Sequence, residues 1–243
     1  MTVLFSFDRA IGVFYPPKLT LSEENAPMSS QLLLASGSPR RKMLLEELGI
    51  TIRAVPSNIP EVLQQDEDPV HYAKRMAREK VLAVARRTES TLYLDPEGVP
   101  RSSYGSGNDS VRWVLGADTI VVLDGEVFEK PKDNHDAYNM LTRLSGNEHE
   151  VITAFCVLDL LKSKEGLQAV HTKVQFKHLS KIEIEKYVAL GEGTDKAGSY
   201  GVQGVGSYLV ESIHGSYTNV VGLPLCQVVE MLQEMGASEV LPF

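Results

Sequence analysis

A serine- and arginine-rich segment near the start of the chain has the residue types that bind phosphate. Its sequence is Ser36-Gly37-Ser38-Pro39-Arg40-Arg41. It follows an apolar run, residues 31–35, that predicts a buried strand, and it precedes a periodic apolar segment that predicts a helix. Ser38 is a favourable N-cap and Pro39 suits the first helical position, so exposed N–H groups and two guanidiniums would face an anion together. The alternative is a capped helix with two solvated arginines.

Lys80 is the second candidate, on a helix predicted to open at Asp68-Pro69 and to continue through residue 87. The inward-facing residues of that helix are predicted to be Ala73, Ala77, Val81 and Val84. Lys80 lies beside them, three residues after one alanine and four before the last valine. Its ammonium would therefore point toward the interior side. A lysine that snorkels past the apolar face to solvent is the alternative.

The third candidate is Asp118 together with Lys130, with Glu61 as a possible second carboxylate. Asp118 and Lys130 are separated by 12 residues across Asp124-Gly125, a strong hairpin signal that could bring both to one end of a sheet. Glu61, at the end of a loop over residues 56–60, can supply a second carboxylate. Two carboxylates could hold Mg²⁺, or one could orient an attacking water while the other binds metal. Each of these residues could also be a solvated surface charge.

A glutamine in a glycine-rich segment is the fourth candidate. The segment covers residues 198–206 and contains Gln203. Its glycines permit close backbone approach, and the amide of Gln203 can both donate and accept hydrogen bonds, as reading a nucleobase edge requires. A glycine-rich turn with a solvent-facing glutamine is equally compatible with these residues.

The elements that must position these residues alternate between strands and helices. Hairpin signals among them indicate an α/β fold with a mixed sheet. The Gly116-Ala117-Asp118-Thr119 segment is flanked by predicted strands at 113–115 and 120–123. Further strands are predicted at 51–55, 151–158, 170–176 and 207–212, and further helices at 136–144, 180–191 and 223–235.

Two segments are expected to lie outside this pattern. Residues 1–28 contain three prolines, which predict an extended arm that is either disordered or added before the first core strand. Charged residues interrupt their apolar run, so no secretion signal is predicted. Residues 95–110 lack apolar periodicity and are interpreted as a surface insertion. We expect residues 29–243 to form a single catalytic domain.

Composition limits the class of protein. The 243 residues are 43% hydrophobic, and no apolar run approaches the roughly 20 residues that span a bilayer. The net charge of −8 argues against binding to nucleic acid or anionic lipid. Cys156 and Cys226 are interpreted as buried free thiols, which suits a cytoplasmic location. The six histidines show no zinc-ligand spacing, and no nucleophile-elbow motif is present.

Taken together, the motifs resemble those of the Maf family of nucleoside triphosphate pyrophosphatases. The resemblance runs from about residue 31 to residue 236 and excludes the arm and the 95–110 insertion. The matching blocks are Leu34-Ala35-Ser36-Gly37-Ser38-Pro39-Arg40-Arg41, Gly116-Ala117-Asp118-Thr119, Glu129-Lys130-Pro131, Leu144-Ser145-Gly146, Asp195-Lys196-Ala197-Gly198 and Gly222-Leu223-Pro224.

The resemblance implies a fold, a reaction and a cofactor. The fold would be an elongated, twisted mixed sheet flanked by helices, in two lobes with a cleft between them, similar to inosine triphosphate pyrophosphatases. The reaction would cleave a nucleoside triphosphate between the α and β phosphates with Mg²⁺ or Mn²⁺, usually in a homodimer. The implied catalytic residues are Asp118, Glu61, Lys80 and Lys130, with Asp118 and Glu61 also at the metal. The implied substrate-binding residues are Ser36, Ser38, Arg40, Arg41, Thr119, Lys196 and Gln203.

Three segments of the sequence indicate the branch of the family. The segments similar to the branch that acts on dTTP and UTP are the uninterrupted Pro39-Arg40-Arg41, Ala117-Asp118-Thr119 and Gly201-Val202-Gln203-Gly204. The alternatives are the same reaction on another nucleotide, such as methylated GTP, and a non-catalytic nucleotide-sensing protein. Pro60 stands where relatives often carry a second acidic residue beside the one at Glu61. The metal-binding residues implied by the resemblance are therefore incomplete at this position.

Overall fold

The computed structural model describes residues 6–8, 13–15, 31–89, 92–94, 100–102 and 111–243, with side chains described for 31–87 and 111–243. The helices are α1 Pro39–Glu47, α2 Pro69–Glu89, α3 Asn134–Leu144, α4 Lys181–Leu190, α5 Tyr217–Val221 and α6 Leu225–Met235. The strands are β1 Ser6–Asp8, β2 Val13–Tyr15, β3 Gln31–Leu34, β4 Ile52–Ala54, β5 Leu92–Leu94, β6 Pro100–Ser102, β7 Val111–Leu123, β8 Glu126–Phe128, β9 Glu148–Asp159, β10 Lys164–Phe176 and β11 Val210–His214.

A seven-stranded mixed sheet forms the centre of the fold. Its order is β11-β10-β9-β7-β3-β4, and β8 also pairs with β7. Strand β3 runs parallel to both β4 and β7, whereas the other pairs in this sheet are antiparallel. The predicted mixed α/β fold is confirmed.

One edge of β7 changes partner part-way along its length. Strand β9 pairs with β7 along the opposite edge, from Trp113 to Val122. The remaining edge pairs with β3 up to Leu115 and with β8 from Val121 onward. In the registers that the structure describes, residues 116–120 therefore have no strand partner on that edge, and a gap opens beyond the carboxyl end of β3. Ligands of α/β sheets commonly bind at such carboxyl ends.

The two faces of the sheet carry different helices. Alternate residues of β3 point to opposite faces: Leu32 and Leu34 pack with α1 and α6, whereas Leu33 packs with α2. Farther along β7, Val121 packs with α3 and α4, on the face opposite α2. The helices on that face thus form two groups, α1 with α5 and α6, and α3 with α4.

Local capping follows the sequence signals closely. The Ser38 side chain accepts a hydrogen bond from the backbone N–H of Arg41 at the start of α1. Ser180 and Glu183 form the predicted capping box of α4, which ends at Gly191 in the left-handed conformation. Asp124 and Gly125 both have positive φ in the β7–β8 turn, as a two-residue hairpin requires.

Several expectations need correction or fall partly outside the described residues. Residues 116–119 do not separate two strands as expected, because β7 is continuous through them and Asp118 lies within that strand. The strand expected at 207–212 begins at Val210, since residues 204–209 form a 3₁₀ helix. Cys156 is buried but Cys226 is exposed, because it faces outward on α6. In the arm, β1 pairs with β2, and at the insertion β5 pairs with β6; the remaining residues of both segments are outside the description.

No helix in the described parts of the chain is long and apolar enough to cross a membrane.

Candidate active site

A cavity of about 470 Å³ lies at the gap in the sheet, within the usual size range of small-molecule sites. Five basic and three acidic side chains line it, a net charge of +2 in a chain whose net charge is −8. None of the six histidines, all of which are described, lines it. All eleven predicted site residues do: Ser36, Ser38, Arg40, Arg41, Glu61, Lys80, Asp118, Thr119, Lys130, Lys196 and Gln203.

Lys80 joins the two predicted carboxylates at one wall of the cavity. Its Nζ lies 2.5 Å from Oε1 of Glu61 and 2.6 Å from Oδ1 of Asp118. Lys80 and Asp118 are each only 6% exposed, so the lysine does not snorkel to solvent. The ion pair compensates for burying both charges, and it holds the carboxylates close together without mutual repulsion.

Glu61 is bound from two sides. Lys130 Nζ donates to its Oε2 at 2.9 Å, while Lys80 occupies its Oε1. Burial would raise the pKa of Glu61, but Lys80 and Lys130 outweigh burial and lower the pKa to about 2. Glu61 is therefore ionised at neutral pH.

Close packing of α2 on β7 brings Lys80 to Asp118. A Cβ at Gly116 would lie 2.7 Å from Val81 Cγ2 and 3.0 Å from the carbonyl oxygen of Ala77. Any larger residue would push the helix away from the strand. The glycine two residues before Asp118 thus allows Lys80 to reach that carboxylate.

Arg41 is the most constrained cation of the site. Its Nε donates to the Gly222 carbonyl at 2.8 Å, Nη1 to Ser36 Oγ at 3.1 Å and Nη2 to Thr119 Oγ1 at 3.0 Å. Burial lowers the pKa of the guanidinium, while the carboxylates of Asp118 and Glu61 oppose that fall. The hydrogen bonds fix the plane of the guanidinium, which has five N–H donors in a rigid geometry.

The remaining cations reach the cavity from opposite sides. Arg40, on α1, pairs with Asp195 at 3.2 Å across the opening. Lys196 Nζ lies 2.6 Å from the same aspartate and also donates to the carbonyl of Glu192. Asp195 therefore links the α1 side of the cavity to the 195–203 side.

The glycine-rich segment forms the other end of the cavity. The Glu192 carboxylate accepts hydrogen bonds from the backbone N–H groups of Val205 and Gly206, at 3.0 and 2.8 Å. Tyr200 is buried, and its hydroxyl lies 2.7 Å from Nε2 of His149. Gln203 is half-buried, and no hydrogen bond from the described residues engages its side-chain amide. An unengaged amide at the mouth of a shaped pocket can bind a polar ligand edge.

The sequence matches a known family over most of its length. The model of the family described as Maf-like protein matches residues 31–235. The chain belongs to the Maf-like protein family.

Relatives of this Maf-like chain share close to half of its residues. A protein of Geobacter sp. (strain M21) named dTTP/UTP pyrophosphatase is 46% identical over 209 residues, which cover 86% of this chain and 97% of the relative. Proteins of the same name from Geobacter metallireducens and Geobacter sulfurreducens are 46% and 47% identical, covering 87% and 85% of this chain and 99% and 97% of the relatives.

A solved structure of a nucleoside-triphosphatase / dITP/XTP pyrophosphatase from Mycobacterium abscessus is a distant likeness. It covers 87% of this chain and 98% of its own, with 13% identity and a TM-score of 0.34. A TM-score this low does not establish a shared fold, so the family assignment rests on the sequence matches.

The donor set of this Maf-like site fits a divalent cation shared with a ligand. Within the described residues, no group of three or more His, Cys, Asp or Glu side chains could form an all-protein metal cage. The site instead offers two adjacent carboxylates, and Asp118 Oδ2 makes no hydrogen bond to any described residue. Mg²⁺ is usually held by one or two carboxylates together with substrate phosphates, so these residues fit the ion.

Four residues that contribute to the site were missed from the sequence. Asp195 bridges the opening, and Gly222 supplies a carbonyl to Arg41; both lie in the quoted family blocks, which was the available signal. Thr153 and Asn219, both 0% exposed, form hydrogen bonds behind the cavity wall. A lone threonine in a strand and an asparagine in a short helix give no local signal of such a role.

Proposed function

We propose that this Maf-like chain hydrolyses dTTP and UTP between the α and β phosphates, releasing a nucleoside monophosphate and pyrophosphate. The observation that carries the proposal is the buried Lys80, which joins Glu61 and Asp118 beside the half-buried Arg41. Binding a triphosphate requires cations but not two carboxylates, so the carboxylates point to catalysis. The names of the relatives supply the nucleotide preference.

The cations of the cavity bind the triphosphate. Arg41 presents a guanidinium fixed by Ser36 and Gly222, and Arg40 and Lys130 lie at the more exposed parts of the opening. Arg40 leaves Asp195 for the phosphates, because a phosphate oxygen is a stronger partner for arginine than a solvated carboxylate 60% exposed to water. The backbone N–H groups at the start of α1 add a further site for phosphate oxygen.

Asp118 acts as the general base. It accepts a proton from the water that attacks the α phosphorus. A bond forms from the water oxygen to the α phosphorus, and the bond from the α phosphorus to the α–β bridging oxygen breaks, so that this oxygen leaves with the pyrophosphate. Lys80 holds Oδ1 of Asp118, so Oδ2 is the oxygen that faces the water. The leaving pyrophosphate gains negative charge, which the surrounding guanidiniums and ammoniums stabilise.

Asp118 and Glu61 would hold Mg²⁺ or Mn²⁺. When bound, the ion supplies neutralisation of phosphate charge beyond that of the protein cations. Lys80 holds both carboxylates near each other, where the ion would bind. A cytoplasmic homodimer completes the proposal, on the strength of the family resemblance and of free thiols that suit a reducing compartment.

A nucleotide panel tests the proposal. The purified chain is incubated with Mg²⁺ or Mn²⁺ and dTTP, UTP, CTP, GTP or methylated GTP, and pyrophosphate and monophosphate are quantified. We expect dTTP and UTP to give the highest kcat/KM, with equal amounts of the two products. Preference for methylated GTP would refute the assigned substrate. Release of inorganic phosphate alone would refute the cleavage position, and saturable binding without turnover would favour a nucleotide sensor.

A further inference from the structure

We propose that Thr153 is a positioning residue that orients Arg41 through Thr119. The three side chains and the backbone carbonyl of Asn219 form a continuous hydrogen-bonded relay behind the cavity. This inference rests on the proposed function, because there Arg41 binds the phosphates. It assigns a role to Thr153, which does not line the cavity itself.

The chemistry of the groups fixes the direction of the relay. Thr153 Oγ1 lies 2.9 Å from the Asn219 carbonyl oxygen, which can only accept, so Thr153 donates there. Thr119 Oγ1 lies 2.9 Å from Thr153 Oγ1 and must then donate its single proton to Thr153. Arg41 Nη2, which can only donate, binds Thr119 Oγ1 at 3.0 Å. Each hydroxyl thus accepts one hydrogen bond and donates one.

Burial keeps water from replacing a hydroxyl group of the relay. Thr153 and Asn219 are both 0% exposed, so water does not substitute for a missing hydroxyl without a structural change. The relay also spans four elements: Arg41 lies on α1, Thr119 on β7, Thr153 on β9 and Asn219 on α5. Thr119 and Thr153 are directly paired in the register of β7 and β9. The position of Arg41 is thereby tied to the centre of the sheet rather than to α1 alone.

The relay changes the role expected for Thr119. Its proton is donated to Thr153, so its hydroxyl does not donate to a phosphate while the relay is intact. Thr119 therefore acts on the ligand through Arg41. Loss of the Thr119 hydroxyl frees Nη2 directly. Loss of the Thr153 hydroxyl leaves the Thr119 proton without its acceptor, so the Thr119 hydroxyl can turn and no longer holds Nη2 in one direction.

Isosteric variants test the relay. Thr153→Val keeps the shape and removes the hydroxyl, Thr153→Ser keeps the hydroxyl, and Thr172→Val is the matched control. Thr172 is also a buried strand threonine. Its hydroxyl binds the Asn219 side-chain Nδ2 and the backbone of Ser216, and it makes no hydrogen bond to Thr153, Thr119 or Arg41. The readout is the Kd of inorganic pyrophosphate by calorimetry, with kcat and KM for dTTP and the melting temperature measured in parallel.

We expect Thr153→Val to weaken pyrophosphate binding by about fivefold, the size of one lost hydrogen bond between neutral groups. Thr153→Ser and Thr172→Val should stay within about twofold of wild type, by the same scale. Wild-type affinity in Thr153→Val, or an equal loss in Thr172→Val, would overturn the inference. If Thr153→Val does not fold, Thr119→Val against Thr119→Ser gives the same contrast one link nearer to Arg41.

A double-mutant cycle separates an effect through Arg41 from a general one. In an Arg41→Lys background, which lacks the guanidinium fork, Thr153→Val should cause no further loss of pyrophosphate affinity. Additive losses would show that Thr153 acts elsewhere. Failure of the wild type to hydrolyse dTTP would refute the proposed function, whereas the pyrophosphate Kd values would still decide whether the relay exists.

Discussion

The two ends of the cavity are built on different physical principles. The end at the gap in the sheet is made of paired charges, of which Lys80 and Asp118 are buried. Lys80 lies between Glu61 and Asp118, and Arg41 is held by three acceptors. The end at the glycine-rich segment contains backbone turns, the buried Tyr200–His149 pair and the unengaged amide of Gln203. We refer to these as the charged end and the glycine-rich end.

This difference predicts which changes each end tolerates. At the charged end, removal of one partner leaves an uncompensated buried charge, which is among the most costly changes in a protein. At the glycine-rich end, shape is set by backbone hydrogen bonds to Glu192, so single side chains there adjust the ligand preference more than the reaction. Four measurements test this contrast.

The largest effect is expected for Asp118→Asn at the charged end. Asparagine keeps the shape of aspartate but cannot accept the proton of the attacking water, so kcat should fall about a thousandfold, within the range for loss of a general base. The Kd for dTTP should change by no more than a few-fold, because the cations that bind phosphate remain. Pyrophosphate release and equilibrium binding are measured on the same preparation.

Asp124→Asn is the matched control for this prediction. Asp124 lies on the same β7–β8 hairpin, is exposed and has the positive φ that asparagine also tolerates. The control removes the same charge and should retain wild-type turnover. Undiminished pyrophosphate release by Asp118→Asn would refute the general-base assignment.

Lys80→Met should have the next largest effect. It leaves Glu61 and Asp118 facing each other without the ammonium between them, so we expect about 3 kcal/mol loss of unfolding free energy, typical of breaking a buried ion pair. The kcat should fall about a hundredfold because Asp118 is no longer held in position. Urea unfolding and pyrophosphate release measure the two effects.

Lys74→Met, at a half-buried position on the same helix, provides the comparison. If both variants lose stability equally, Lys80 contributes through helix packing and not through its carboxylates.

The third prediction concerns the pH dependence of stability and compares His149 at the glycine-rich end with Glu61 at the charged end. Burial lowers the pKa of His149, at the glycine-rich end, to about 4, whereas an unfolded histidine titrates near 6.5. Below pH 6.5 the unfolded state binds a proton that the folded state excludes, so stability falls as the pH drops from about 6.5 toward 4. Glu61, with its pKa near 2, stays ionised throughout that window.

His149→Gln removes this titration and keeps a polar partner for Tyr200. Between pH 7 and pH 5 the wild type should lose about 2 kcal/mol more unfolding free energy than the variant. His171→Gln, the same substitution at an exposed histidine paired with Glu150, should behave as wild type. Equal acid sensitivity in all three proteins would show that His149 is not kept neutral by the fold.

Residues of the cavity that belong to local sequence patterns could be predicted, whereas residues placed by contacts distant in sequence could not. The Ser36–Arg41 segment, Asp118 and Gln203 were recognisable because strand, cap and glycine patterns are local signals. All three converge on the cavity. Their chemical roles stay predictions that the assays above decide.

The positions of Lys80 and Thr153 could not be predicted in the same way. Helical periodicity placed Lys80 beside an apolar face, but its burial depends on Gly116 of a strand 36 residues away. The role of Thr153 depends on the register of β7 with β9 and on a turn of α5, contacts that join residues far apart in sequence. The gap along β7 likewise arises because two different strands share one edge.

Gln203→Ala should have the smallest effect and belongs to the glycine-rich end. If the amide reads the nucleobase, kcat/KM for dTTP and UTP should fall about tenfold, the worth of one or two hydrogen bonds to a neutral group, while CTP turnover changes little. The Kd of inorganic pyrophosphate should be unchanged, because that ligand has no base and binds at the charged end. Gln233→Ala, at an exposed position on α6, is the matched control. A loss of pyrophosphate affinity in Gln203→Ala equal to the loss for dTTP would instead place the amide at the phosphates, and the division of the cavity into two ends would fail there.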